Sequence, residues 1–578
     1  MRQQYAIRSL ILVAFFALMG VAIVTQMIRI QSSEQAQLFL AQGDRYSGEF
    51  QLVSPERGEI YDRNGHLLAG NRTVYEVGVS LPDMKNPQAM AYTLGMYLGL
   101  RYEDVFNQLV NAPDTWEYVV VQDYVGAETV TSLQALMKQM DDVDDDRLEG
   151  LAFKPHYQRS YPEDSLASNV LGFVARDGRG YFGIEEKYND LLAGNPVQVW
   201  VPGDPNRAME IPRVPNGTTL VLTVDRDLQA KVESILDRSL TQYGAENGTI
   251  IVMDPRNGEI LAMASTPRMD LNNYGNYFSL YENGSQYNRS IGMSYEPGSV
   301  LKVLTMAAAV DTGTVKPDTT FMDTGAIEVG GITIRNWNRD SWGQQNMIGC
   351  LQHSLNVCLA WVSTQMGMQN FYGYMERFGL GHPTGVDLAG EAAGRLKVPG
   401  DTDWYPVDLG TNAFGQGITV TPLQMLMSVS SIPNGGKMVT PHVLYSMLRD
   451  GHQYNVPSQY GGSPITSDTA RTLNEMLALS LEQESSQALL PGYRLAGKTG
   501  TAQIPTKYGY DATHTNVSFI GWGPVDDPQF MVYVWLSSPS ASIWSSETAA
   551  PVFSQVAEQT VISLSIPPDV VRSQFVNK

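Results

Sequence analysis

The stretch "YEPGSVLKV", Tyr295 to Val303, sets a serine and a lysine three residues apart at the start of an apolar run. Pro297 and Gly298 punctuate the chain and Val300, Leu301, Val303 and Leu304 follow, so a helix is predicted to start here with proline in its first turn. Side chains at that spacing share a helix face about 5–6 Å apart, close enough for the Lys302 amine to take the Ser299 proton. Such a pair recurs by chance about once in a chain this long, so it needs company before Ser299 counts as a nucleophile. One local feature favours chemistry. Lys302 lies inside the mostly apolar "VLKVLTMAAAV", where a charge buried without a partner would be costly.

Acyl transfer requires a nucleophile, a base, a proton relay and an oxyanion site, and serine with a lysine base is an accepted variant. Downstream, "SLN" (Ser354, Leu355, Asn356) begins at 354 − 299 = 55 residues and "KTGT" (Lys498, Thr499, Gly500, Thr501) at 498 − 299 = 199 residues. By themselves Ser354 and Asn356 read as helix-capping or turn residues, and Lys498 to Gly500 as the start of a strand. The last motif precedes strand-like sequence, where Gly500 lets a substrate backbone approach an edge strand closely.

Outward from these motifs the pattern alternates. "TTLVLTV" reads as a strand, "DRDLQAKVESILDRSL" as a helix capped by Asp225, and "NGTIIVMDPRNGEILAMAS" as a hairpin turning at Asn257-Gly258. Helices are expected from Ser299 to about Phe378, strands from Arg494 through "FMVYVWLSS", and a last helix after Pro551. That order predicts an α+β domain with an antiparallel sheet over about residues 217–564, followed by a tail, 565–578. The passage "VPGDPNRAMEIPRVPNG" reads as the boundary before it.

The N-terminal part, 31–216, begins with a polar stretch, 31–50, suited to a stalk. "RGEIYDRNGHLLAGN" reads as two strands about a turn at Asn64-Gly65, and residues 80–150 as mainly helical. The run "MDDVDDDRLEG" fails the calcium-loop pattern, because Arg147 stands where glycine is needed, and is read as a solvated acidic loop. Arg57, Asp62, Arg63 and Glu185 are assigned to salt bridges joining this module to the catalytic domain.

Ahead of it, Leu10 to Val24 is uninterrupted apolar sequence continuing through Met27 and Ile28, long enough to span a bilayer. Arg2 and Arg8 precede the run and only Arg29 follows closely, which favours a cytoplasmic N-terminus and an extracytoplasmic bulk. No small-residue cleavage site follows, so residues 1–30 are expected to stay as a single-pass anchor. A net charge of −21 argues against a nucleic-acid partner, and the 43% hydrophobic share is that of a globular protein. Cys350 and Cys358 leave a bridge open, but eight residues apart in predicted helix they are expected to be free and buried. The histidines lack metal-ligand spacing, so no metal site or cofactor is expected.

Together the ordered motifs S-x-x-K, S-x-N and K-T-G resemble the penicillin-recognising serine transpeptidases. "RGEIYDRNG", "GYFGIEEKY", "MDPRNGEILAMASTP", "NRSIGMSYEPGS" and "FGQGITVTPLQ" narrow the likeness to class B penicillin-binding proteins, and "TGVDLAGEAAG" and "SFIGWGP" to the division-specific septal branch. One departure is visible: the family's R-x-x-P-x-G segment reads "RSYPED", with Asp164 where glycine is usual.

The resemblance implies a five-stranded antiparallel sheet with helices on both sides, an N-terminal pedestal, and peptidoglycan D,D-transpeptidase activity at the outer face of the cytoplasmic membrane. Residue by residue it implies Ser299 as the acylated nucleophile, Lys302 as its general base, and Ser354 as the relay hydroxyl. Asn356 is implied to bond the lysine and the substrate amide, Lys498 to supply positive charge, and Thr499 and Thr501 to offer hydroxyls to the substrate carboxylate. The backbone N–H groups of Ser299 and Thr501 are implied to form the oxyanion hole. Implied partners are stem peptides ending in D-Ala-D-Ala, β-lactams, a polytopic glycosyltransferase of the shape, elongation, division and sporulation (SEDS) type, and other division or elongation membrane proteins. A D,D-carboxypeptidase or β-lactam hydrolase is the rival enzyme, and a scaffold or sensor regulating that glycosyltransferase is the rival from another class.

Overall fold

The computed structural model describes residues 2–31, 48–53, 55–113, 115–143, 145–202, 214–282, 286–484, 486–506 and 509–576. The chain divides into two compact units, Met1–Glu56 with Gly194–Asn216, and Arg57–Ala193 with Gly217–Lys578. In the first, helix α1 (Arg2–Gln31) contains a 21-residue apolar run, Leu10–Ile30, of mean hydropathy 2.4. Its strand Gly48–Val53 pairs antiparallel with Val197–Pro202. The expected stalk falls mostly on 32–47 and the expected boundary passage mostly on 203–213, both outside the described residues.

Within the second unit, the "RGEIYDRNG" turn forms as read. Gly65 has a positive φ of 87°, and the buried Asp62 carboxylate accepts the backbone N–H groups of Asn64 and His66 at 2.9 and 2.7 Å. Strands Ile60–Tyr61 and Leu67–Ser80 flank it. Ile60–Tyr61 pairs in parallel with Thr219–Leu222, so one sheet takes strands from both sides of the predicted boundary. Residues 80–150 are less helical than expected, because Tyr118–Gly126 is a strand on that sheet. Its alternating valines Val119 and Val125 fill a core with Val77, Met90, Leu94 and Leu133.

Asp62 accepts the Arg226 backbone N–H at 3.0 Å, and Arg63 meets Glu259 at 3.3 Å, so these two residues do join the N-terminal module to the later chain. Arg57 instead pairs with Glu185 at 2.6 Å inside the module, and Arg159 binds the same carboxylate at 2.7 Å. Asp164 adopts a positive φ of 51°, the conformation for which glycine is usual. Its carboxylate accepts from Asn272 Nδ2 at 3.0 Å, so aspartate keeps the turn that glycine would make.

Helix α2 (Arg226–Tyr243) starts where Asp225 accepts the N–H groups of Asp227 and Leu228. Strands β1 (Asn247–Met253) and β2 (Ile260–Ser265) form the predicted hairpin. Helix α3 (Lys302–Asp311) is followed by α4 (Met347–Gln352), α5 (Asn356–Met366) and α6 (Ser467–Glu484). Strands β3 (Ala496–Thr506), β4 (Gly509–Gly523) and β5 (Phe530–Ser537) complete an antiparallel sheet of order β2-β1-β5-β4-β3. Helices α7 (Ala549–Ser563) and α8 (Asp569–Val576) close the chain.

Period two explains why this sheet is covered on both faces. Ile250, Val252, Val532, Val534 and Leu536 face α2 and α7, while Ile251, Met253, Met531, Tyr533 and Trp535 face the core that holds α3. Each such large apolar side chain contributes about 1.5–3 kcal/mol by leaving water. β3 is one of the two edge strands, as the sequence predicts, β2 being the other.

Helices dominate residues 299–378, with two strand pairs set among them: Ala326–Val329 pairs with Ile332–Arg335 about Gly330-Gly331, and Thr320–Asp323 with Gly343–Asn346. The helix expected last, α7, is followed by α8, whose Asp569 accepts the Arg494 backbone N–H at 2.6 Å.

Candidate active site

The Ser299 turn is held between two close backbone approaches. A Cβ on Gly298, whose φ is +58°, would lie 2.7 Å from the Thr501 carbonyl oxygen, and one on Gly500 would lie 2.4 Å from Ser518 Oγ and 2.9 Å from Val300 Cγ1. Both glycines are therefore required for the turn to rest against β3, and Gly500 serves that packing as well as any approach of substrate. The turn is further tied by Gly298 N–H to Gly415 O at 3.1 Å, and by Glu296, which accepts from Gly417 N–H at 3.1 Å and Tyr510 O–H at 3.2 Å. Residues 298–301 make a single 3₁₀ turn and the α-helix begins at Lys302, slightly later than the sequence suggests. Ser299 lines a cleft of about 630 Å³ together with Ser354, Asn356, Glu484, Thr499 and Thr501.

Lys302 is fully buried, and its three polar contacts all go to the S-x-N turn. Its Nζ donates to Ser354 O at 2.5 Å and Asn356 Oδ1 at 2.8 Å, and lies 3.1 Å from Ser354 Oγ. Burial holds its pKa well below the ordinary lysine range, and the nearby Lys498 cation pushes the same way against the opposing Glu484 carboxylate. A neutral amine has two N–H donors and one lone pair. The two carbonyl acceptors match the donors, which leaves the lone pair able to take a proton.

Ser354 stands in the break between α4 and α5 with a positive φ of 53°, strained for a non-glycine residue. Leu355 N–H bonds Cys350 O at 3.0 Å, and Asn356 Nδ2 donates to Arg335 O at 3.2 Å. The cysteines are not free: Cys350 and Cys358 form a disulfide with Cα atoms 6.0 Å apart. The expectation assumed one continuous helix, in which eight residues would separate them by about 12 Å. The left-handed Ser354 turns the chain between α4 and α5 and brings Cys358 within reach of Cys350, so the bridge brackets Ser354 and Asn356.

Lys498 is also fully buried, on β3, where its Nζ lies 3.2 Å from both Glu484 carboxylate oxygens and 2.9 Å from Thr499 Oγ1. Thr499 Oγ1 donates to Glu484 Oε1 at 2.9 Å, and Thr501 Oγ1 meets Ser545 Oγ at 2.9 Å. All eight predicted site residues thus fall around the cleft or immediately behind its wall. The arrangement supplies a serine on a fixed turn, a buried amine whose charged form burial disfavours, a hydroxyl beside that amine, and a second lysine with hydroxyls along an edge strand.

Sequence reading missed Glu484, which carries no motif and sits 498 − 484 = 14 residues before Lys498. It also missed an aromatic rim. Trp337 and Trp544 line the cleft with ring centroids 4.9 Å apart, and Trp342 stacks on His353 at 4.0 Å. Burial lowers the His353 pKa. Tryptophans in loops between motifs were the available signal.

Comparison with known proteins is consistent across the chain. Residues 248–558 match the penicillin binding protein transpeptidase domain, and residues 52–201 the penicillin-binding protein dimerisation domain. Stage V sporulation protein D of Bacillus subtilis is 32% identical over 89% of this chain and 79% of its own. Peptidoglycan D,D-transpeptidase FtsI of Escherichia coli is 27% identical over 92% of this chain and 88% of its own. In fold, the chain is similar to penicillin binding protein 2X of Streptococcus thermophilus, with TM-score 0.74 and 23% identity over 90% of this chain and 80% of that one. It is likewise similar to penicillin binding protein 3 of Mycobacterium tuberculosis in complex with aztreonam, with TM-score 0.68 and 25% identity over 90% and 98%.

Proposed function

The chain belongs to the class B penicillin-binding proteins, and from that premise we propose that it is a peptidoglycan D,D-transpeptidase working through an acyl-enzyme on Ser299. The observation that carries this reading is the Lys302 amine, buried and held by Ser354 and Asn356 one turn from Ser299.

Lys302 takes the Ser299 proton as Oγ attacks the carbonyl carbon of the penultimate D-Ala of a donor stem peptide. The new C–O bond raises a tetrahedral oxyanion, received by the backbone N–H groups of Ser299 and Thr501; one such donor is worth about 3–4 kcal/mol in the transition state. The Lys302 proton passes through the Ser354 hydroxyl to the leaving nitrogen, the C–N bond breaks, and the terminal D-Ala departs. Lys498, Thr499 and Thr501 receive the donor's free carboxylate. An amine of a second stem peptide then attacks the ester, its proton returns to Ser299 Oγ, and the cross-link is made. A β-lactam opens on the same serine by the same proton path, with its ring nitrogen as the tethered leaving group.

On this reading residues 1–30 anchor the chain in the cytoplasmic membrane, with the N-terminus inside and the catalytic domain, 217–564, outside; the apolar run Leu10–Ile30 behind Arg2 and Arg8 supports it. The likeness to FtsI supports a role at division, and the module over 31–216 is assigned to docking a SEDS-type glycosyltransferase. The test is intact mass of the full-length chain in detergent after incubation with benzylpenicillin. One adduct, absent from Ser299→Ala, is expected; a folded protein without it sinks the reading.

A further inference from the structure

The seat assigned to the donor's carboxylate already contains a carboxylate. Glu484 ends α6, and its side chain faces both Lys498 Nζ, at 3.2 Å from each oxygen, and Thr499 Oγ1, at 2.9 Å. Among the described residues no second carboxylate pairs with Lys498. The lysine side chain is fully buried while that of Glu484 is 19% exposed, so the pair is reached from the cleft through the glutamate. Glu484 also occupies the last residue of an 18-residue helix, where the negative end of the dipole disfavours an acid. Lys498 and Thr499 are what hold it there.

Resting on the serine acyl-transfer reading above, we propose that Glu484 is a specificity-determining residue: an internal carboxylate that competes for Lys498 and Thr499 with the free carboxylate of the acyl donor or β-lactam. When an anionic donor arrives, two anions share one buried cation. A donor without that charge escapes the repulsion. Glu484 thereby weakens capture of carboxylate-bearing ligands in exchange for keeping the empty cleft from holding an unpaired buried cation.

The test compares second-order acylation of the full-length chain in detergent by benzylpenicillin and by its methyl ester, in the native sequence, Glu484→Gln and Glu484→Asp. The glutamine keeps the shape and removes the charge. At a pH on the plateau of the acylation profile it is expected to speed acylation by the acid about tenfold at low salt, while the ester changes by less than about twofold. Glu484→Asp is expected to keep the native acid-to-ester ratio. Damage to folding scales both ligands alike and a displaced Lys498 slows the acid more than the ester, so a gain confined to the acid is a readout that a merely structural role would not produce. A loss that falls on both ligands equally, or more heavily on the acid, would mean that Glu484 only holds Lys498 in place and overturns the proposal, as does an unchanged ratio in Glu484→Gln. Failure of the native chain to form any adduct removable by Ser299→Ala overturns the serine assignment and this proposal together; an intact Ser299 adduct with an unchanged ratio overturns this proposal alone.

Discussion

Lys302 and Lys498 are both fully buried beside one cleft, and the fold gives them opposite company. On the helical wall, the hydrogen-bond partners of Lys302 among the described residues are uncharged, two carbonyl oxygens and a hydroxyl. On the strand wall, Lys498 meets a carboxylate. Burial disfavours the charged form of any lysine unless an anion compensates. On the proposed reading, the uncompensated lysine takes the serine proton and the one beside a carboxylate supplies positive charge. Residue type does not assign these roles; the partner does.

Removing the Lys302 amine should break the comparison most completely. Lys302→Met is expected to lower acylation by at least about 10³-fold with acid and ester substrates alike, read as the second-order rate constant with a fluorescent penicillin. A loss confined to the carboxylate-bearing ligand would assign Lys302 to binding instead. The corresponding change on the other wall, Lys498→Met, is expected to cost about 10²-fold and to weigh more on the acid than on the ester.

The disulfide tests how rigidly the helical wall must be held. Replacing Cys350 and Cys358 together by serine should reduce stability by about 2.5 kcal/mol, from the loop-closure effect of a short bridge. It should also slow acylation about tenfold, because Ser354 is then free to leave its strained conformation. Denaturant unfolding and the acylation rate measure the two effects separately; unchanged acylation would show that the hydrogen bonds suffice.

The smallest effect concerns pH. Lys302 has a folded pKa below its ordinary value of 10.5, so the acylating form exists above the depressed pKa and is lost as pH falls through it. Between those values the unfolded chain binds more protons than the native one, so this group's contribution to stability becomes more favourable as pH rises through that window. The acylation rate should rise with pH and then level. The Glu484 carboxylate opposes the depression, so Glu484→Gln should move that rise to lower pH. A rise that stays in place would show that the glutamate's charge does not reach the base.

Much of this contrast was legible in the sequence, because S-x-x-K and K-T-G each lie within a single turn or strand where spacing dictates geometry. The sheet was legible from the short continuous apolar runs "TIIVM" and "FMVYVWLS", the pattern of strands buried on both faces, and from Asn257-Gly258. What escaped depended on chain reversals. The hairpin at Gly330-Gly331 carries the ordinary signal, alternating "AIEV" and "ITIR" about two glycines, and was lost inside an expectation of helix. The cysteines were misread because a serine with positive φ leaves no mark in the sequence. Glu484 was invisible for a different reason: it is the last residue of a long surface-bound helix, where an acid normally means solvent.

The Cys350–Cys358 bridge has a consequence in time as well as in space. Its formation needs an oxidant, which the cytosol withholds and an extracytoplasmic compartment provides. With the chain exported as proposed, the turn that presents Ser354 and Asn356 is fastened only after translocation. The machinery for making acyl-enzymes thus matures on the side of the membrane where stem peptides are found, and chain retained in a reducing compartment carries the same residues with that fastening undone.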